Sequence, residues 1–455
     1  MKGDLLNSDT IIAPITSLNG GSVHVVRISG KNAIPFTNRY FSKDISESPG
    51  NRFFYGQLVN EQNKHLDDVV VYVYRKPHSY TGEDVVEISC HANILITEKI
   101  LGLFIRQGCR YAEPGEFTKR AFLNGKIDLV QAESVAALIA AKSDQALENA
   151  LNQLEGQFSK ELKGIRENII KVLSLLELNL DFAEEDIEVI DDSEILRLLK
   201  TTEKKVSEFL KSYSKGRLLQ NGVKVLITGK PNVGKSSLMN TLLEKDRVLV
   251  SEIPGTTRDV IHDEIYLDNI LVKFLDTAGI RYSGDYLEQE GVKRAKKLYK
   301  EADIILMVFD VSEPFTEEDQ YLLQIAKQYS GKIIFVGNKI DLGKSPQNAE
   351  VVDHNWVEIS AKKKKNIAKI KEAIKRKIHL TSKNELFINN ERQYKKLKEI
   401  KKAVKNARKA LKEQIGHEFV SMELRQVIDI LSELNGEVTN EDILNNIFSQ
   451  FCIGK

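Results

Sequence analysis

The sequence is short of cysteine, of long apolar runs and of net charge. Its three cysteines, Cys90, Cys109 and Cys452, are an odd number without C-x-x-C spacing, which excludes a disulfide framework and a zinc ribbon. Apolar runs such as Ile304 to Phe309 fall far short of the roughly 18 residues of a membrane span. The opening MKGDLLNSDT has no apolar signal segment, so no membrane association and a cytoplasmic location are expected. A formal net charge of +1 gives no global field to draw nucleic acid. Neither a repeat of about 20–50 residues nor a low-complexity linker is visible.

What is present is ordinary for a globular chain: 42% hydrophobic and 29% charged residues, enough to bury a sizeable core. At 455 residues the chain exceeds one core, since domains hold roughly 100–200 residues. Positive charge is unevenly placed, with ten Lys or Arg against one Glu between Arg392 and Lys412. That basic helix suits an RNA partner or a solvated face.

The texture changes along the chain. Up to about residue 118, short β-rich runs (Val23–Ile28, Val69–Tyr74, Val85–Ser89) and an amphipathic stretch near Ile94–Gln107 predict a small α/β domain. From 119 to 215 apolar residues recur at three and four, as in Ile165, Ile169, Val172 and Leu176, predicting long helices. Residues 216–380 carry VKVLITG, ILVKFLDTAG, DIILMVFDV and KIIFVGNKID, buried strands alternating with helices and therefore a parallel sheet covered on both faces. Helices resume over 381–455. The expected architecture is multidomain, α/β plus all-α: a helical domain built from both flanks, with an α/β nucleotide domain inserted in it.

Within that inserted domain, Gly229-Lys-Pro-Asn-Val-Gly234-Lys235-Ser236 follows the strand VKVLIT and opens a helix. This is the G-x-x-x-x-G-K-S phosphate loop: backbone N–H groups over Asn232, Val233, Gly234, Lys235, Ser236 and Ser237 face phosphate oxygens, Lys235 reaches the β/γ-phosphates, and the Ser236 hydroxyl ligates Mg²⁺. Asp276, Thr277, Ala278 and Gly279 end the next strand, where a carboxylate holds the Mg²⁺ water shell and a glycine N–H senses the γ-phosphate. Asn338, Lys339 and Asp341 of NKID end another. A carboxylate there accepts N1–H and N2–H of guanine, a donor pair adenine lacks, so the nucleotide is GTP. Ser360, Ala361 and Lys362 resemble the second guanine-contacting loop of this class. Between the phosphate loop and DTAG, Ser251, Glu252, Ile253, Pro254, Gly255, Thr256 and Thr257 occupy the position of switch I, with Thr257 the expected second Mg²⁺ ligand when γ-phosphate is present.

Hydrolysis needs a group to orient water. Ras-like enzymes carry a glutamine directly after DTAG, but here Ile280 stands in that position. Glu288 and Glu290, a few residues on in RYSGDYLEQE, are the candidate carboxylates. Transition-state charge could come from Arg258 as an arginine finger, or from a monovalent cation held by the Asn232 amide oxygen and switch I carbonyls; spacing leaves both open.

With these motifs in place, the chain resembles the MnmE (TrmE) family of tRNA-modification GTPases, within the TrmE-Era-EngA-like P-loop class. The resemblance runs from DTIIAPITSLNGGSVHVVRISG through YTGEDVVEISCH, EPGEFTKRAFLNGKIDLVQAESVAALI and GKPNVGKSSLMN to the final FCIGK. It implies a tetrahydrofolate-binding, dimerising N-terminal domain, a helical domain and a K⁺-stimulated Ras-like G domain. It also implies an MnmG/GidA-type flavoprotein partner, in a heterotetramer, that helps build an aminomethyl or carboxymethylaminomethyl group on carbon 5 of the wobble uridine of certain tRNAs. By the same resemblance Asn232, Ser251, Ile253 and Thr256 hold K⁺, and Glu288 is the catalytic carboxylate. Arg27, Glu87, Lys126 and Lys455 bind 5-formyltetrahydrofolate or a related reduced folate. The chain departs from the family pattern at His91-Ala92-Asn93, where relatives have two glycines after the histidine, and at Thr16-Ser17-Leu18-Asn19-Gly20.

Cys452 lies close to the end of the sequence, before a glycine read as flexible and the cation Lys455. A thiol so placed is not expected in a helix core and could reach another domain or subunit. The resemblance makes it a candidate for the modification chemistry. The rival reading is a ribosome-assembly GTPase that binds rRNA without modification chemistry. It would need neither the N-terminal domain nor FCIGK.

Overall fold

The computed structural model describes residues 9–181, 192–246, 261–267, 270–275, 297–348, 351–352, 355–378 and 386–455. They form two compact units: Met1–Ala136 with Asn152–Glu203 and Glu399–Lys455, and Ala137–Leu151 with Lys204–Lys398. Among the described residues no helix is long and apolar enough to cross a membrane.

The first unit opens with β1 (Ile11–Pro14), β2 (Val23–Ser29), α1 (Ala33–Tyr40), β3 (Arg52–Val59), β4 (His65–Tyr74), β5 (Val85–His91), α2 (Ile94–Arg106) and β6 (Arg110–Tyr111). The strands make one sheet in the order β3-β4-β5-β2-β1-β6. In β4 the period-two alternation of HLDDVVVYVY buries Asp67, Val69, Val71 and Val73 on one face. Ile100, Leu103 and Phe104 of α2 pack into the same core as Val26, Val71 and Ile88. Such fully buried side chains contribute about 1.5–3 kcal/mol each. Helix α1 and strand β3 are not among the elements expected from the sequence, because their apolar residues are spaced too irregularly to show a period.

Helices α3 (Glu116–Leu123), α4 (Leu129–Ile139), α5 (Asp144–Leu154), α6 (Gln157–Asp181) and α7 (Asp192–Asn221) follow. The expected three-and-four spacing in α6 is matched by burial of Phe158, Leu162, Ile165, Ile169, Val172 and Leu176. Helix α7 runs on through residue 215 to Asn221, so the change of texture falls at Gly222.

The second unit contains β7 (Val223–Thr228), α8 (Lys235–Asp246), β8 (Ile261–Leu267), β9 (Ile270–Leu275), β10 (Ile304–Asp310), α9 (Glu317–Gln328), β11 (Ile333–Asn338), β12 (Val357–Glu358) and α10 (Ile367–Ile378). Its sheet runs β12-β11-β10-β7-β9-β8, parallel throughout except for the β8–β9 pair. β10 is buried on both faces: Ile304, Leu306 and Val308 pack with α8 and α10, while Ile305, Met307 and Phe309 pack with α9. That two-sided cover is what the uninterrupted run IILMVFD predicts. It leaves the carboxyl ends of the strands for ligands. Helices α11 (Glu391–Lys412), α12 (His417–Asn435) and α13 (Glu441–Phe448) complete the chain.

Candidate functional site

The phosphate loop joins β7 to α8 and carries positive φ at Gly229, Asn232 and Gly234. Asparagine tolerates this region better than other non-glycine residues. A Cβ at Gly234, which has φ +95°, would collide with the Asn338 amide nitrogen, so the second glycine of the motif is required by a neighbouring strand end as well as by its own backbone. Lys235 Nζ donates to the carbonyls of Gly229 at 2.8 Å and Lys230 at 2.7 Å, which holds the ammonium over the loop. Burial lowers its pKa below the ordinary lysine value. Ser236 and Ser237 are exposed in the first turn of α8, and Asn232 is exposed in the loop. Val233 is buried and anchors the loop to the core.

The guanine end is assembled from β11 and the segment after β12. Asn338 is buried, and both ends of its amide are used: Nδ2 donates to the Val233 carbonyl at 2.8 Å, and Oδ1 accepts from the Ala361 N–H at 2.9 Å. This side chain ties the phosphate loop to the second base-contacting loop, a structural use the motif alone does not disclose. Lys339 adopts φ +69° and pairs through Nζ with Asp310 at 2.5 Å. Burial works to raise the Asp310 carboxyl, and Lys339 together with the Ser312 hydroxyl and N–H overcomes it and holds it below its usual range. Asp341 projects into solvent from a short 3-10 turn, Ile340–Leu342. The Ser360 hydroxyl holds its carboxyl below the usual range, assisted by Lys363 and Lys362. The carboxylate is thus ionised and presented as an acceptor. Ser360 and Ala361 are buried, whereas Lys362 is exposed.

Ser251, Glu252, Ile253, Pro254, Gly255, Thr256, Thr257, Arg258, Asp276, Thr277, Ala278, Gly279, Ile280, Glu288 and Glu290 lie outside the described residues.

In the first unit Arg27 and Glu87 face each other across β2 and β5, joined by Nε to Oε1 at 2.8 Å. Neither is freely exposed, at 12% and 17% of the side chain. The Arg27 guanidinium lies 4.9 Å from the Tyr80 ring centroid and 5.3 Å from that of Phe117, within cation–π range. Lys126 donates to the Pro77 carbonyl at 2.9 Å, in the loop that also supplies Tyr80. A buried network adjoins this cluster. Arg120, 4% exposed, binds Asp9, Glu83 and Glu116 at 2.7, 3.2 and 3.1 Å. Arg110 binds Asp9 at 2.7 Å and Glu116 at 2.5 Å, and Ser29 donates to Glu83 at 2.6 Å. Burial tends to raise the Asp9 and Glu116 carboxyls, but the arginines hold both below the ordinary range. The sequence signals only one piece of this network, the Glu116 and Arg120 pair at helical spacing.

GTP-binding protein TrmE N-terminus matches residues 10–126 and MnmE helical domain matches residues 129–452. The tRNA modification GTPase MnmE of Aquifex aeolicus is 40% identical over 98% of this chain and 100% of its own length. That of Cytophaga hutchinsonii is 39% identical over 99% of this chain and 98% of its own. The chain belongs to the MnmE family. A solved structure of Aquifex aeolicus Era bound to GDP.AlF4 is 30% identical and covers 40% of this chain and 66% of its own, with a TM-score of 0.29.

In this MnmE-family chain the FCIGK segment is docked, not frayed. Phe451 is buried with Phe448, Phe122 and Leu129. The Gly115 N–H donates to the Cys452 carbonyl at 3.4 Å, and the Phe117 N–H to the Lys455 carbonyl at 3.1 Å. Phe117, whose N–H meets the Lys455 carbonyl, is also the residue whose ring lies by Arg27. Gly454, expected to be flexible, is buried at φ +96°, and a Cβ there would strike the Pro14 carbonyl. Backbone packing onto β1 is the reason for the difference. Among the cysteines, burial pushes Cys109 up to about 12 and raises Cys90, whereas Cys452 is exposed. A thiol reagent at neutral pH should therefore label Cys452 alone in the native protein, as peptide mass spectrometry would show; modification of Cys109 at the same rate would contradict the packing.

The departures from the family pattern have local explanations. Asn93 caps α2, its side chain accepting from the Leu95 N–H at 2.9 Å. His91 Nδ1 lies 2.7 Å from Asp67. Thr16 Oγ1 accepts from the Val25 N–H at 2.9 Å, which fastens the early loop to β2.

Proposed function

We propose that this MnmE-family GTPase works with an MnmG/GidA-type flavoprotein to install an aminomethyl-type group on carbon 5 of the wobble uridine of tRNA. GTP hydrolysis is stimulated by K⁺, and a reduced folate such as 5-formyltetrahydrofolate is the one-carbon donor. The relationship over nearly the whole length to proteins named tRNA modification GTPase carries the reading. Residues 1–118 form the folate-binding and dimerising domain, 119–215 and 381–455 the helical domain, and 216–380 the G domain. The homodimer reading is supported by Phe53 and Tyr55, 70% and 60% exposed on the sheet-edge strand β3. The chain acts in the cytoplasm.

The side chains suit the chemistry. Lys235 exchanges two carbonyl partners for phosphate oxygens, and Asp341 reads the guanine edge. The exposed Ser236 hydroxyl is a hard oxygen donor suited to Mg²⁺, with Thr257 completing the set. The Asn232 carboxamide, exposed in the loop at φ +63°, supplies the same donor type for K⁺, with Ser251, Ile253 and Thr256. A bound K⁺ contributes positive charge where an arginine finger acts in other GTPases. Glu288 orients water. Hydrolysis is expected to be faster in K⁺ than in Na⁺, and Glu288→Ala to lose most turnover while keeping GTP affinity, because water is positioned for the transition state. Equal rates in Na⁺, with Arg258→Ala inactive, would transfer the role to the arginine.

The Glu87 carboxylate suits the pterin end of a folate, whose ring amide N–H and amino group form a donor pair like that of guanine. Arg27, paired with Glu87 at 2.8 Å, orients that carboxylate at the ring end, and the cations Lys126 and Lys455 suit the carboxylates of an anionic ligand. Arg27→Ala is expected to weaken calorimetric binding of 5-formyltetrahydrofolate by roughly tenfold or more; an intact protein that takes up no folate would remove the pocket. For the function as a whole, tRNA nucleosides from cells lacking the protein should have lost the wobble modification by mass spectrometry. Unchanged uridines would sink the reading. Cys452→Ser should impair modification while sparing GTP hydrolysis.

A further inference from the structure

Between Lys401 and Lys412 of α11, every exposed residue is a lysine: Lys402, Lys405, Lys409 and Lys412. Their three-and-four spacing sets them on one face, advancing about 5 Å per step and about 15 Å in all. The opposite face, with Ile400, Val404, Ala407 and Leu411, is buried. The stripe is not neutralised locally. Glu203 is engaged by Arg408 at 3.0 Å and Glu423 by Asn406 at 3.2 Å. Lys409 has only the loose contact to Glu413 at 3.7 Å, and Lys402, Lys405 and Lys412 make no ion pair among the described residues.

Holding four like charges in a row is unfavourable unless a polyanion meets them. We infer that this lysine stripe is a docking surface for the phosphodiester backbone of RNA, deepening the proposed action on tRNA and resting on that reading. Evenly spaced ammonium groups, with no aromatic or amide side chain exposed among them, give charge without base readout, which is how a repeating phosphate chain is bound. A membrane surface fits less well, since the exposed face has no apolar side chain to insert. The stripe positions the RNA; base selection belongs elsewhere.

The test uses the full chain and a fluorescent transcript of a tRNA with uridine at the wobble position, titrated by anisotropy over a KCl series. Changing Lys402, Lys405, Lys409 and Lys412 together to Gln should lower affinity at least about tenfold near 0.1 M salt. It should also flatten the slope of log K against log salt by roughly 3–4, at about 0.7–0.9 for each of the four lost phosphate contacts. The same four positions changed to Arg should keep binding. Melting temperature and RNA-free GTP hydrolysis should be unchanged in both variants. A Gln variant with wild-type affinity and slope overturns the inference and leaves the proposed function standing. Wild-type protein that binds no transcript overturns the inference, and the nucleoside measurement then decides the function separately. Binding to phosphatidylserine vesicles that is lost in the Gln variant, with tRNA binding retained, would assign the stripe to a membrane and overturn the RNA reading.

Discussion

Asp341→Asn is expected to lower GTP affinity on the order of a hundredfold, since an anionic acceptor is replaced by a group that turns a donor toward the N–H groups of guanine. Asp341 leaves the body of the domain on a short turn, and its carboxyl is held ionised by the Ser360 hydroxyl and nearby lysines. Its removal should leave the fold intact and act on the ligand alone. Xanthosine triphosphate, which presents a carbonyl where guanine has an amino group, should regain affinity in the variant. Titration of both nucleotides by calorimetry checks this; equal GTP binding by variant and parent would refute the assignment of the base.

The second large effect is on stability. Arg120→Leu removes the cation shared by Asp9, Glu83 and Glu116 from a site where the guanidinium is 5% exposed. Breaking a buried network from one side costs about 3–5 kcal/mol, here because Glu83 is left without its cation and Asp9 and Glu116 keep Arg110 alone. Since Asp9 and Glu116 have pKa values below their ordinary 3.8 and 4.5 in the folded protein, they add stability above those values and lose it as pH falls through the folded ones. The deficit of the variant in scanning calorimetry should therefore be greatest at neutral pH and narrow in acid. Matching transitions at neutral pH would show the network to be energetically idle.

These two sites differ in how far the sequence discloses them. The phosphate and guanine loops are legible because backbone geometry and base chemistry restrict which residues stand at fixed short spacings. The alternation of apolar strands likewise discloses the parallel sheet. The Arg120 network is illegible for the opposite reason: its partners Asp9 and Glu83 lie 111 and 37 residues away, and only Glu116, one helical turn off, leaves a local trace. The docking of Gly454 is similar, since a glycine chosen for close backbone approach looks the same in a sequence as one chosen for freedom. The ordered use of Asn338 was half legible: its position in NKID is fixed by the motif, but its two partners are backbone groups, which no sequence letter marks.

That asparagine has a thermodynamic consequence. Because one buried amide spans Val233 and Ala361, the halves of the nucleotide site cannot loosen independently. Base and triphosphate should bind with positive linkage, each lessening the ordering cost of the other. Free guanosine, offered alone, forgoes that gain, so the domain discriminates whole nucleotides from their fragments by more than the separate contacts would sum to.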